Sequence, residues 1–234
     1  MGALITTPIS VGLALLSTRP SDVIYWCKWI TWLPSTPRES FGIPLTESEL
    51  LKNVDEIFFY GVNSKSERLI VRLARSTGQE VEALIQLKLC NGKVYQSKEM
   101  SGFQQTGCDK KTFSCGGLQL HYLSPMRKWR IFFNGFLKET NEDDTSSDKM
   151  VHVKFALIWS ATTDVFDFSS DINKKILADG LAKSKWNQYS PPIEKLNSAL
   201  NCYAQCGVIM GNVNIDGLDE VNLYLFGEKL RFFG

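Results

Sequence analysis

Three stretches of the chain alternate apolar and polar side chains with a period of two. In Arg68–Arg75, Leu69, Val71 and Leu73 fall on one face. In Val81–Leu89, Val81, Ala83, Ile85, Leu87 and Leu89 share a face opposite Glu82, Gln86 and Lys88. In Met150–Trp159, Val151, Val153, Phe155, Leu157 and Trp159 oppose His152 and Lys154. This alternation predicts half-buried antiparallel strands. Turn residues separate the runs, and Asn91-Gly92 predicts a tight hairpin into Lys93–Met100, because both residues tolerate positive φ. Further strands are expected at Gly117–Leu123, Lys128–Lys138, Gly207–Ile215 and Glu220–Phe226, with Asn134-Gly135 expected to bend or bulge the strand Lys128–Lys138. Thr140–Lys149 is acidic and reads as a loop.

Helical spacing appears in fewer places. Thr46 and Glu49 form a capping-box pattern that opens a short helix ending near Asn53. Ile172, Ile176, Leu177 and Leu181 predict a helix within Asp171–Trp186, capped by Ser169 or Ser170, and Ile193–Tyr203 reads as another. The first 18 residues carry no charge, and a second apolar run, Val23–Leu33, holds Tyr25, Trp26, Trp29 and Trp32. The two runs predict an N-terminal apolar helix, either buried or lying at a membrane surface, where Trp and Tyr favour the headgroup level. Gly2 and Thr6 match the short myristoylation pattern. The chain therefore divides into an apolar N-terminal segment and linker, 1–45, and a β-rich domain, 46–234.

Composition narrows the function classes. Lys and Arg number 26 against 25 Asp and Glu, a formal charge of +1. A general nucleic-acid binder needs a basic excess to neutralise phosphates, so nucleic acid is not an expected partner. Six cysteines are too few for a chain of this size to depend on disulfides, and Cys90 reads as a small core residue. Cys202 and Cys206 sit four apart near the end of a predicted helix, but the cysteine spacings match no common zinc module. No metal or cofactor is expected, and no phosphate-binding loop, dinucleotide fingerprint or nucleophile elbow occurs. The absence of an Asn-x-Ser/Thr acceptor agrees with a cytoplasmic or membrane-associated location.

Two histidines, His121 and His152, fall on predicted strands and are able to meet across a sheet or line a pocket. Around Ser124–Leu137, Trp129, Ile131 and Phe133 share one face, and Arg130, Phe132 and Asn134 the other. The candidate pocket comprises His121, Trp129, Arg130, Phe133, His152, Phe155 and Trp159. No catalytic residue is assigned.

The segments Leu123–Leu137, Val151–Ile158 with Phe166-Asp167, and Tyr203-Ala204-Gln205-Cys206-Gly207 leading to Gly211 and Ile215-Asp216-Gly217 carry a resemblance. They resemble the N-terminal β-rich region of animal phosphoenolpyruvate synthase-like, or rifampicin phosphotransferase-like, proteins, a lipocalin-related fold. The resemblance covers roughly residues 54–234. It implies a phosphotransferase family whose nucleotide-binding and phosphohistidine domains have no counterpart in these residues. The expected fold is mainly β, an antiparallel lipocalin-like barrel or half of a tandem barrel, with the N-terminal apolar helix and one helical insertion. Its interior is expected to be lined by Leu69, Leu87, Trp129, Phe133, Phe155 and Trp159. A half-barrel would leave Val221–Phe233 as an exposed edge open to self-association. The expected function is a non-catalytic ligand-binding or interaction module, with an apolar small molecule as partner and membrane contact through residues 1–33. The alternatives are a stand-alone isomerase or hydratase of an apolar substrate, which needs His121, His152 or Asp167 to converge, and a membrane-associated scaffold.

Overall fold

The computed structural model describes residues 55–76, 80–97, 100–103, 112–124, 126–141, 149–183 and 201–233. The apolar N-terminal segment, the helix expected at Thr46–Asn53, the acidic residues 142–148 and most of the helix expected at Ile193–Tyr203 lie outside them. The chain forms two compact units. One comprises Thr36–Phe166 with Asn201–Gly234, the other Met1–Ser35 with Asp167–Leu200.

The first unit is a mainly antiparallel β structure. In chain order its strands are β1 (Asp55–Val62), β2 (Arg68–Arg75), β3 (Glu80–Lys88), β4 (Lys93–Gln96), β5 (Met100–Phe103), β6 (Thr112–Cys115), β7 (Leu118–Ser124), β8 (Lys128–Asn141), β9 (Met150–Ala161), then β11 (Cys202–Ile215) and β12 (Val221–Phe233); the two-residue β10 (Phe166–Asp167) spans the boundary between units. Each of β1-β2-β3-β4-β8-β9-β11-β12 pairs antiparallel with the next, and β12 returns to β1. The result is a closed eight-stranded barrel. Closure corrects the expectation of an exposed final strand: β12 is paired on both sides, with β1 and β11.

The period-two faces point as the sequence dictates. Leu69, Leu87, Trp129, Phe133, Phe155 and Trp159 all face the interior and are at most 1% exposed. Asn91-Gly92 turns β3 into β4, and Asn91 Oδ1 accepts from the Lys93 N–H at 3.0 Å. Cys90 lies in this turn and is exposed, not a core residue. Cys202 opens a strand rather than ending a helix. Asn134-Gly135 makes no bulge towards β9, because the β8–β9 register runs unbroken from Lys128↔Ser160 to Lys138↔Met150. Those two residues instead mark where β8 changes partner on its other edge, from β7 to β4.

That change shapes the barrel. β4 contributes three paired positions with β3 and four with β8. Beyond it, β5 carries on along β3 after a one-residue shift in register, while the β6–β7 hairpin pairs with the first half of β8. At the shift, the Ile85 N–H donates to Ser97 Oγ at 2.9 Å, so a hydroxyl stands in for a ladder carbonyl. The wall between β3 and β8 is therefore one strand thick at one end and built from β5, β6 and β7 at the other. More strands in a barrel wall mean a wider lumen.

Three glycines lie in one cross-strand row: Gly61 on β1, Gly227 on β12 and Gly207 on β11. A Cβ on Gly207 would stand 2.7 Å from the Trp159 indole and 2.6 Å from the Ser160 carbonyl oxygen. The bare backbone here makes room for the Trp159 indole to approach β11 closely.

In the second unit, α1 (Phe168–Asp171) is capped by Asp167, whose Oδ1 accepts from the Ser169 N–H at 2.9 Å and its hydroxyl at 2.6 Å. α2 (Lys174–Lys183) lies within the expected helix, but its cap is Asn173, not Ser169 or Ser170: Asn173 Oδ1 accepts from the Lys175 N–H at 2.9 Å. No described helix is long and apolar enough to cross a membrane.

Gly207→Ala is expected to lower the urea midpoint by an amount equivalent to about 1–3 kcal/mol, because the methyl has nowhere to go. Gly102→Ala on β5, with open space around the added carbon, should change stability by less than about 0.5 kcal/mol.

Candidate functional site

The inward face of β12 reads Leu223, Leu225, Gly227, Lys229, Arg231, so strict alternation carries two cations into the barrel. Lys229 is 0% exposed and Arg231 1%. The same phase brings Asp55 inward ahead of Ile57 and Phe59 on β1, and Arg75 inward after Leu73 on β2. All four sit at the end where β5, β6 and β7 widen the wall.

Asp55 and Arg75 are opposite each other in the β1–β2 ladder. Arg75 Nη2 donates to Asp55 Oδ2 at 2.5 Å. From the other side, Arg231 Nε donates to Oδ1 at 3.0 Å and Nη2 to Oδ2 at 3.1 Å. One carboxylate thus ties β1, β2 and β12 together. The Phe113 ring of β6 lies beneath both guanidinium groups, 4.5 Å from Arg75 Cζ and 5.5 Å from Arg231 Cζ. Burial opposes the charge on Arg231, but Asp55 and the Tyr203 hydroxyl outweigh it and raise its pKa. Burial likewise pushes the Tyr203 phenol well up.

Lys229 is different. Its ammonium has no hydrogen-bond partner among the described residues. It stands over three ring faces instead, 4.6 Å from Trp159, 4.8 Å from Tyr203 and 5.3 Å from Trp129. Burial, reinforced by the adjacent Arg231, drives its pKa well below the ordinary lysine value. The ring faces work the other way, each worth up to about 2 kcal/mol to a desolvated cation. The indole N–H groups of Trp129 and Trp159, which are cross-strand partners, are also buried and unpartnered. Gln205, opposite Lys229 on β11, donates to the Met126 carbonyl at 2.8 Å and the Thr163 carbonyl at 3.1 Å, and its own Oε1 is unsatisfied. The Lys229 ammonium, the two indole N–H groups and Gln205 Oε1 are therefore buried at this end of the barrel without a hydrogen-bond partner among the described residues.

The seven residues expected to line one pocket divide between two surfaces. Trp129, Phe133, Phe155 and Trp159 are interior, and the two indoles belong to the Lys229 site. Arg130 is exposed on the outer face of β8. His121 pairs with it across β7–β8, and its Nδ1 lies 2.7 Å from the Thr112 hydroxyl. His152 Nε2 lies 2.7 Å from Asn134 Oδ1, with Nδ1 3.7 Å from Asp216. The ladder partners of the two histidines, Arg130 and Phe136, are six residues apart on β8, or about 20 Å. The histidines do not meet. Asp167 is occupied as the α1 cap. No described cluster of three or more His, Cys, Asp or Glu side chains is placed to hold a metal ion. Asp55, Arg75, Tyr203, Lys229 and Arg231 are not among the residues expected at a site from the sequence. The available signal was their phase: each falls on the buried parity of its strand.

A family model matches residues 39–234, that of DUF8627, a family of unknown function. This overturns the resemblance to phosphoenolpyruvate synthase-like proteins, to which nothing in the comparisons points. The residues behind that resemblance are ones the barrel itself demands: Trp129 in the core, Gly207 under Trp159, and Gly217 in a positive-φ turn. No curated protein matches the chain. Among solved structures, the chain is similar to a Nitrosomonas europaea protein carrying the provisional description AttH, with a TM-score of 0.52 and 8% identity over 87% of this chain. The chain spans 57% of that protein's length, and the likeness concerns the fold alone.

Two measurements test the site's energetics. Asp55→Asn removes the carboxylate that both guanidinium groups share and is expected to cost about 3–5 kcal/mol in urea unfolding at pH 7. Lys229 keeps its proton to about pH 10 when unfolded but gives it up earlier when folded. The unfolded state then binds the extra proton, so stability rises with pH towards the ordinary lysine range near about pH 10, by at most about 1.4 kcal/mol per unit. Lys229→Met should flatten this slope and be the more stable protein at pH 7.

Proposed function

The chain belongs to the DUF8627 family, and we propose that it is a non-catalytic binding module whose wide barrel end receives a small apolar molecule bearing one hydrogen-bond acceptor. The observation that carries this reading is the set of unpartnered donors: Lys229 Nζ and the Trp129 and Trp159 indole N–H groups. More than nine in ten buried polar groups in folded proteins have a partner. Three such donors around one set of rings, with Gln205 Oε1 as the single unpaired acceptor beside them, favour a bound molecule that brings an acceptor of its own. The surrounding rings of Trp129, Trp159 and Tyr203 suit an apolar body, and the donors suit a carbonyl or carboxylate oxygen. The exchange resembles that of many ligand-binding barrels, in which a mostly apolar interior holds few polar groups that fix orientation.

The experiment is displacement of an environment-sensitive apolar dye by a series of apolar ketones, carboxylic acids and matched hydrocarbons. The acceptor-bearing compounds are expected to compete saturably and the hydrocarbons at least about tenfold more weakly, a difference of about 1.4 kcal/mol. Trp159→Phe should erase much of that preference by removing one donor while keeping the ring. Absence of saturable displacement by any compound overturns the proposal.

A further inference from the structure

Resting on the binding reading, the geometry points to Lys229 as a covalent capture site for an apolar aldehyde or ketone, held as an imine on Nζ. Three observations lead there. First, the amine has no hydrogen-bond partner and no carboxylate among the described residues to hold it as a cation. Asp55, the buried carboxylate of this end, is engaged by both Arg75 and Arg231. Second, the charged groups facing Lys229 favour the free base: Arg231 repels a second cation, and full burial removes its hydration. A neutral lysine keeps a lone pair for attack on a carbonyl carbon, the condition that lets buried lysines form Schiff bases. Third, the aromatic faces around Nζ supply a dry, apolar bed, and the rings of Trp129 and Trp159 that form it carry indole N–H groups with no hydrogen-bond partner among the described residues.

The step balances without a further reactant. The Nζ lone pair forms a C–N bond to the carbonyl carbon. The carbonyl oxygen then leaves as water, carrying both amine hydrogens, and a C=N bond remains. Nothing is oxidised or reduced. Hydrolysis reverses it, so the site captures and releases its ligand.

The test uses the full chain with benzaldehyde and cyanoborohydride at pH 6.5, read by intact mass and peptide mapping. At this pH ordinary lysines, with pKa values of about 10.4, are almost wholly protonated and react slowly, and the α-amino group is the one other competent amine. Expected is a single benzyl group on the peptide containing Lys229, at least about tenfold above any other lysine. Lys229→Arg should lose it, with near-ultraviolet circular dichroism reporting whether the barrel is intact. Trp159→Phe, which keeps the amine, should slow labelling severalfold and serves if the arginine variant does not fold. Label spread evenly over other lysines, or Lys229 unlabelled in the wild-type chain, overturns the imine. Benzyl alcohol separates the two ideas. If it displaces the dye while Lys229 stays unlabelled, the covalent inference falls and the binding reading stands; if it does neither, both fall.

Discussion

The wide end of the barrel depends on one carboxylate. Asp55 opens β1, yet its two oxygens are shared by Arg75 at the end of β2 and by Arg231 near the end of the chain. The Asp55–Arg231 contact spans 176 residues of sequence. It therefore forms only when the first and last strands have met, and it holds the ring closed at the position where the apolar layers run out. A buried ion cluster of this kind is a weak source of net stability, because desolvation offsets most of the attraction. What it supplies is register. Asp55, Arg75 and Arg231 satisfy one another only when β1 sits between β2 and β12 in the observed alignment, and a slip of β1 by one residue would turn Asp55 outward and leave both guanidinium groups buried without it.

Most of the barrel was legible in the alternation of side chains. The strands Arg68–Arg75, Val81–Leu89 and Met150–Trp159 emerged within two residues of their observed bounds, and the six residues named for the interior are all buried. β1 was hidden because Ile57-Phe58-Phe59-Tyr60 is a continuous apolar run, in which the outward Phe58 and Tyr60 mask the period. β5 and β6 are four residues each, too short to show a period. The site was missed for a different reason. Charged residues are ordinarily placed outside, and Lys229, Arg231, Arg75 and Asp55 were passed over although their positions in phase with buried leucines already carried the information. The histidines drew attention by chemistry, but parity puts His121 and His152 on the outer side of their strands.

The candidate site joins two features that barrels usually keep apart. Its polar groups are the kind found where a lumen opens to water, yet they are buried beneath Phe113 and between the indoles. The widened wall makes this arrangement fit. Without the β6–β7 hairpin there would be no Phe113 under the two guanidinium groups. Gly207 completes the fit from the opposite side by letting Trp159 lie against the strand.

The short strand β4 decides where the closed ring is held most thinly. Neighbouring wall strands are zipped over eight to twelve positions, but β4 is held by three on one side and four on the other. The Lys93–Glu139 ion pair at 2.9 Å and the Thr140 hydroxyl on the Val94 carbonyl at 3.3 Å supplement this thin seam. Local openings in proteins draw on the segments with fewest bonds to break. Among the eight strands of the closed ring, β4 therefore has the fewest ladder positions to break, and the ion pair that supplements them is one that acid and salt weaken.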